Sequence, residues 1–178
     1  MVSEDFAKFV ESQQETDAEA RVNWAETRDY WLAELDSLYG TIADFLREYV
    51  GHGITYEFSE IELNEPSIGR YLARRMDIKI GRQHVSLVPI GTLLVACKGR
   101  VDVEGAAGRG RLLLVDEKVR RAADLIRVTV HAGTEIPSPP VPEPEPVWAW
   151  KILTNVEAVF EDLDKENFLR LLMETTGA

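Results

Sequence analysis

Three residues in the middle of the chain have the types and order needed to hold a divalent cation beside a basic side chain. The stretch RLLLVDEKV, residues 111–119, is apolar until Asp116, and Lys118 follows two positions later. In an extended strand these two side chains point to the same side. Asp102 precedes them across a glycine-rich turn. Two carboxylates can hold Mg²⁺ while a lysine positions or activates a water, which is the chemistry of phosphodiester hydrolysis.

An acid on one strand, followed by an acid and a lysine on the next, resembles the signature of restriction-endonuclease-like nucleases. The resemblance implies Mg²⁺-dependent cleavage with Asp102, Asp116 and Lys118 as catalytic residues. The spacing leaves two hairpin registers open. A tight turn pairs Asp102 with Leu113 and leaves Asp116 about 10 Å along the strand at ~3.4 Å per residue. A longer loop centred on Arg109 sets Asp102 opposite Asp116. We favour a polar strand end without catalysis.

The other residue types that do chemistry show no spacing that predicts a site. The three histidines are far apart in sequence, and Cys97 lies in an apolar run that is typical of a buried, inert thiol. The acids of residues 57–65 lack the asparagine and aspartate spacing of a calcium loop and favour a solvated strand face. We therefore predict no metal site and no cofactor.

Charge is segregated along the chain, which carries a formal net charge of −11 over 178 residues. Residues 1–65 hold 16 acids and 4 bases, residues 66–131 hold 6 acids and 13 bases, and residues 132–178 hold 9 acids and 3 bases. The basic segment 66–131 leaves nucleic-acid contact open, but its only aromatic side chain is Tyr71, whereas single-strand binders stack bases on several. We favour neutralisation of the basic segment by the acidic helical region, within the chain or across a dimer.

The N-terminal part predicts acidic helices. Ser3 can cap a short helix, and Thr16 begins a second capping signal. From Trp24 to Tyr49 apolar residues then recur at helical spacing, until glycines at 51 and 53 end the pattern.

The middle of the chain predicts strands. Apolar residues alternate over 54–58 and change parity at Ile61, which indicates a bulge. Residues 64–75 are predicted as a loop. The stretch 76–87 predicts a hairpin that turns at Gly81 and pairs Ile78 with Val85. Further strands are predicted at 93–97, at 101–103 and 112–115 in a second hairpin, and at 125–131.

Residues 137–146 contain six prolines and predict an extended linker. After it, Trp148, Trp150 and Ile152 share one strand face. A closing helix is predicted from about Asp164 to Gly177, with Phe168, Leu171 and Leu172 buried against the core.

These patterns predict one α+β domain: an acidic helical region (residues 1–53), a basic, mostly antiparallel sheet or small barrel (54–136), the proline-rich linker (137–146), and a docked strand and helix (147–178). The single cysteine and the acidic N-terminus predict a cytoplasmic protein with no membrane span. The predicted function is a non-enzymatic interaction or accessory subunit, in an assembly or an inhibitor pair, that binds a protein partner or forms a homodimer. The predicted binding residues are Trp31, Leu35, Leu38, Arg74, Arg75, Arg109 and Arg111.

Overall fold

The computed structural model describes residues 2–92, 97–125, 145–154 and 158–178, which form two helices and a seven-stranded antiparallel sheet. The elements are α1 Val2–Leu46, β1 Ile54–Glu65, β2 Gly69–Ile80, β3 Gln83–Gly91, β4 Gly99–Gly105, β5 Arg109–Asp116, β6 Trp148–Leu153, β7 Phe160–Asp162 and α2 Lys165–Thr176. The strands lie side by side in chain order. The α+β class and the antiparallel sheet are confirmed. The sheet is open, because β1 and β7 are edge strands in the part of the chain described.

One long helix stands where the sequence predicted two. α1 runs through both predicted start sites and ends just before a turn with left-handed glycines, Gly51 at φ +82° and Gly53 at φ +108°. Its apolar face packs on the sheet because the large side chains recur at intervals of three and four. Burial of each stabilises the fold by roughly 1.5–3 kcal/mol. The buried side chains are Trp31, Leu35, Leu38, Tyr39, Ile42 and Leu46.

β1 and β2 form a long ribbon that differs from the sequence prediction in two ways. The expected loop over 64–75 is wrong, because β2 begins at Gly69 and only a short turn separates the strands. The expected bulge near Ile61 is also wrong, since the pairing continues without a shift from Ile54 to Glu65. The buried positions do change parity along β1. They change parity in β2 as well, where Ala73 and Met76 are both buried although their side chains point to opposite faces of the strand. The two halves of the ribbon therefore bury opposite faces.

The hairpin of β2 and β3 is confirmed residue by residue. Ile78 pairs with Val85, and Gly81 takes φ +57° in the turn. The second hairpin, β4 with β5, also forms. Its inner face carries Val101, Val103 and Leu112, which join the main core under α1 and α2.

The closing helix α2 forms where it was predicted. The Asp164 side chain accepts a hydrogen bond of 2.8 Å from the Asn167 amide at its start. Gly177 ends it at φ +81°. Its buried side chains, Phe168, Leu171, Leu172 and Thr175, lie against the sheet, whose core they complete.

The outer face of the sheet is apolar at β5–β7 and is covered there by the segment after β5. Lys151 is buried in this region, with its side chain 1% exposed. Its ammonium donates to the carbonyl oxygens of Glu117 at 2.6 Å and Val119 at 3.1 Å, and it lies 3.1 Å from Asp162 Oδ1. This lysine therefore ties the covering segment to β6.

Several predicted elements lie mainly outside the described residues: the strands at 93–97 and 125–131 and the linker at 137–146. Leu125 itself ends a 3₁₀ helix, Ala122–Leu125. In the part of the chain that the structure describes, no helix has an apolar stretch long enough to cross a bilayer.

Candidate protein-interaction site

The three residues of the nuclease-like pattern do not come together. The β4–β5 hairpin adopts neither anticipated register, because its turn is centred between Ala106 and Ala107 and pairs Asp102 with Arg111. Asp116 then lies five residues beyond the position opposite Asp102, about 17 Å along the strand at ~3.4 Å per residue. Asp116 pairs instead with Trp148 of β6, and Lys118 lies in the turn after the strand. The two carboxylates cannot share one ion.

Each of these carboxylates has a partner of its own. Asp102 accepts hydrogen bonds from the Arg100 guanidinium at 2.6 and 2.8 Å. Asp116 accepts a hydrogen bond of 2.9 Å from the main-chain amide of Lys118. Among the described residues, no group of three or more histidine, cysteine, aspartate or glutamate side chains is arranged to hold a metal.

The predicted apolar binding residues are core residues in this structure. Trp31, Leu35 and Leu38 are at most 1% exposed, because α1 lays this stripe on its own sheet. They cannot face a partner unless the helix leaves the sheet. The sequence cannot distinguish the two uses, since a stripe that covers a sheet and a stripe that binds a partner have the same helical period.

Three of the predicted basic binding residues form ion pairs within the chain. Arg74 lies 3.0 Å from Asp36 of α1, which is a contact between the acidic helix and the basic sheet. Arg75 pairs with Asp77 at 2.6 Å, and Arg109 lies 3.4 Å from a carboxylate one strand away. Arg111 is half-buried on the outer face of β5. Of these three arginines, two pair with acids of the sheet and one pairs with an acid of α1.

A cavity of about 350 Å³ lies where α1 passes the ends of β3 and β4. Aromatic rings and polar groups both contribute to its wall, which is a common composition for a binding site. The lining residues are Asn23, Trp24, Glu26, Thr27, Tyr30, Thr92, Cys97 and Lys98. We refer to it as the α1 cavity.

The β4 side of the α1 cavity is held in place by close packing of Trp31 on Gly99. A Cβ atom at Gly99 would lie 2.1 Å from a ring carbon of Trp31, so only glycine fits without displacement. The Trp31 ring is packed in turn against Trp150 of β6, with ring centroids 6.0 Å apart. The Lys98 amide donates to the Leu114 carbonyl at 2.8 Å. This bond and the Gly99 contact together hold the backbone at Lys98 in place.

The β3 side of the α1 cavity rests on a buried carboxylate. Glu65 accepts hydrogen bonds from the Thr92 amide at 2.8 Å, from the Thr92 hydroxyl at 2.9 Å, and from the Tyr71 hydroxyl. Gly91 lies against this group at φ +138°, and a Cβ there would be 2.8 Å from the carboxyl carbon of Glu65. The pKa of Tyr71 is raised by burial and by its bond to Glu65, so its hydroxyl remains a donor. Thr92 is thereby locked in the cavity wall.

Lys98 supplies positive charge between two aromatic rings at the rim of the α1 cavity. Its ammonium lies 5.0 Å from the ring centroid of Tyr30 and 4.7 Å from that of Trp148, within the range of cation–π attraction. Burial, together with the neighbouring carboxylate of Glu34, raises the pKa of Tyr30 to about 12, so its hydroxyl stays neutral at physiological pH. The rim therefore offers one cation on an aromatic platform.

One possible nucleophile, Cys97, lies in the wall of the α1 cavity. Burial raises the pKa of the Cys97 thiol, against smaller opposing effects of the Gly99 backbone and Arg100, so the nucleophilic thiolate is disfavoured. This agrees with the inert thiol expected from the sequence.

Sequence reasoning missed Tyr30, Thr92 and Lys98 as a group, because they come from three segments that only the tertiary fold brings together. The one local signal was the presence of glycines at 91 and 99, next to Thr92 and Lys98. Comparison of the chain with protein-family models, curated proteins and solved structures found no match.

Proposed function

We propose that this protein is a non-enzymatic interaction subunit, and that the α1 cavity binds a segment of a protein partner. The observation that carries the proposal is the aromatic rim around Lys98, set on a rigid base of Trp31 against Gly99 and Glu65 against Thr92. Preformed cavities of this composition bind with little ordering cost. The proposal is compatible with two roles, an accessory subunit of a cytoplasmic assembly or a member of an inhibitor pair.

The chemistry of the rim suggests which side chains of a partner would bind. The aromatic walls can pack against an apolar or aromatic side chain, and the Lys98 ammonium can donate hydrogen bonds to a carboxylate next to it. Lys98 is exposed, so a partner can reach it. The acids of α1, which include Glu26 in the cavity wall, would repel a second carboxylate and so restrict the orientation of the bound segment.

Site-specific photo-crosslinking in the native host tests the proposal. A photo-reactive residue in place of Tyr30 should form a discrete cross-link to another protein, or to a second copy of this chain. The same residue in place of Met173, which is 51% exposed on α2, is the matched control. Lys98→Ala should reduce the Tyr30 cross-link without changing the circular dichroism spectrum. Equal cross-linking at both positions would contradict a specific site.

Self-association is the version of the proposal in which the partner is a second copy. Sedimentation at micromolar concentration should then show a dimer that Lys98→Ala weakens. Trp31→Glu is unsuitable for this test, because Trp31 is fully buried and its charged variant would disturb folding. Titration with labelled DNA and RNA distinguishes a nucleic-acid function: tight binding that weakens steeply with salt would replace the protein-binding proposal.

A further inference from the structure

β1 is a long edge strand, and its acidic side chains are the main feature along it that opposes pairing with another strand. It has twelve residues and pairs with β2 without a bulge. It contains no proline, lysine or arginine. Natural proteins usually blunt an exposed edge with such residues, with bulges or with a covering element. The Ile54 backbone bonds the end of the α1 turn, and from Thr55 to Asn64 no described residue hydrogen-bonds to the outer edge of β1.

The outer part of β1 carries acidic side chains that the described residues neutralise only in part, since Glu60 lies opposite Arg74 in the β1–β2 register. Glu57, Glu60 and Glu62 are exposed. Glu62 lies 3.8 Å from the Arg70 guanidinium, whereas Glu57 and Glu60 form no ion pair with any described residue. A strand that docks on this edge therefore meets negative charge on both faces of the sheet.

This charge pattern disfavours pairing of β1 with a second copy of itself. In an antiparallel pair with its two-fold axis at Ile61, Glu60 of one copy lies opposite Glu62 of the other, and Glu57 lies opposite Glu65. Like charges directly opposite one another destabilise a strand pair. The same row of carboxylates attracts an incoming strand that carries lysine or arginine.

A small apolar groove lies beside this edge, between α1 and the β1–β2 ribbon. Its volume is about 200 Å³, and Glu60 of β1 is on its rim. Leu72 is 55% exposed beside this groove, so its apolar surface is available for contact. The remaining lining residues are Leu32, Leu35, Asp36, Ala73 and Arg74.

We propose that the outer edge of β1 binds an extended, lysine- or arginine-rich peptide segment of a partner as an eighth strand, with one apolar side chain in the groove beside Leu72. Main-chain hydrogen bonds supply affinity, while the carboxylates and the groove supply specificity. The inference rests on the proposed function in that it concerns a protein partner. It uses a surface separate from the α1 cavity.

Fluorescence anisotropy with a short lysine-rich peptide that has a central leucine tests this inference. The peptide should bind, and Glu57→Gln with Glu60→Gln should weaken it about ten-fold, as expected for the loss of two exposed charge pairs. Glu166→Gln with Glu174→Gln on α2 changes the net charge equally and is the matched control. It should leave the affinity almost unchanged.

Two further peptides separate strand pairing from plain charge attraction. A peptide with N-methyl groups on alternate backbone nitrogens keeps its charge but loses its ladder donors, and it should bind far more weakly. A glutamate-for-lysine peptide should not bind. Equal affinity of the N-methylated peptide, or no binding of the lysine peptide at about 1 mM, would overturn the inference.

The same assay separates this inference from the proposed function. Lys98→Ala should leave peptide binding at β1 intact, because the residue lies at the α1 cavity. If Lys98→Ala abolished it, the peptide would be binding at the cavity and the β1 assignment would be wrong. If the lysine peptide did not bind while the Tyr30 cross-link still formed, the β1 inference would be wrong and the proposed function would stand.

Discussion

Replacement of Gly99 by alanine is the most direct test of how the α1 cavity is built. The added Cβ would lie 2.1 and 2.5 Å from two ring carbons of Trp31. Carbon atoms pack best at about 3.5–4.0 Å, so the ring or the strand must move by more than about 1 Å. The ring has no free space, because Trp31 is fully buried and packs on Trp150. Overpacking of this kind costs about 1–3 kcal/mol.

Gly40→Ala is the matched control for this substitution. Gly40 lies within α1 and has no atom within 4 Å of an added Cβ. Alanine there should stabilise the protein by about 0.5–1 kcal/mol, since glycine is the poorer helix former. The two variants carry the same chemical change, yet their free energies of unfolding should differ by about 1.5–4 kcal/mol.

Equilibrium unfolding in urea, followed by tryptophan fluorescence, measures both variants. In a Trp31→Leu background the smaller side chain leaves room, so Gly99→Ala should cost much less than in the native sequence. Equal unfolding midpoints for Gly99→Ala and the native protein would refute the close-packing argument. So would a penalty that persists unchanged after Trp31→Leu.

Three further outcomes are expected from other parts of the structure. Lys151→Met should lower the free energy of unfolding by about 2–4 kcal/mol, because two carbonyl oxygens lose their donor; an unchanged urea midpoint would contradict this. At Asp77, burial would raise the pKa, but hydrogen bonds from Ser86 and Arg75 outweigh it and lower the pKa. The stabilisation that Asp77 contributes is fully present above the pKa of the unfolded state, near 3.8, and is lost as the pH falls through the lower pKa of the folded state. Between pH 7 and pH 3, the free energy of unfolding measured in urea should therefore fall less in Asp77→Asn than in the native protein. Purified protein with Mg²⁺ should not cleave labelled DNA or RNA. If it did, and if a folded Asp116→Ala variant did not, the β4–β5 register described above would be wrong.

Local signals explain the parts of the fold that the sequence predicted well. The β2–β3 hairpin needed only alternating apolar residues and a glycine at 81, and both lie within a dozen positions. Likewise α2 carries its own capping residues, Asp164 and Gly177. In the β1–β2 ribbon the same local reasoning failed. The change of parity at Ile61 arises because the two halves of the ribbon bury opposite faces. In the sequence alone, this pattern is the same as that of a β-bulge.

The candidate sites depend on contacts that one sequence does not reveal. Gly99 and Trp31 are far apart in the chain, and neither position predicts the other. Arg111 took the place opposite Asp102 because the turn is centred closer to β4 than in either register considered. The Gly99–Trp31 contact and the β4–β5 register both depend on residues that are not adjacent in sequence. Secondary-structure propensity and hydrophobic periodicity give information only about residues that are close in sequence.

The order of the strands has a consequence for synthesis of the chain on the ribosome. Each strand pairs with the one made just before it, so the hairpins from β1 to β5 can assemble as they emerge. The inner face of β3–β5 is covered by α2, which is made about 50 residues after β5 ends. At ~5–20 residues per second the sheet must wait several seconds for that cover. During this interval the part of this face that α2 later covers is exposed to solvent or to a chaperone, and the nascent chain is at its most prone to aggregate.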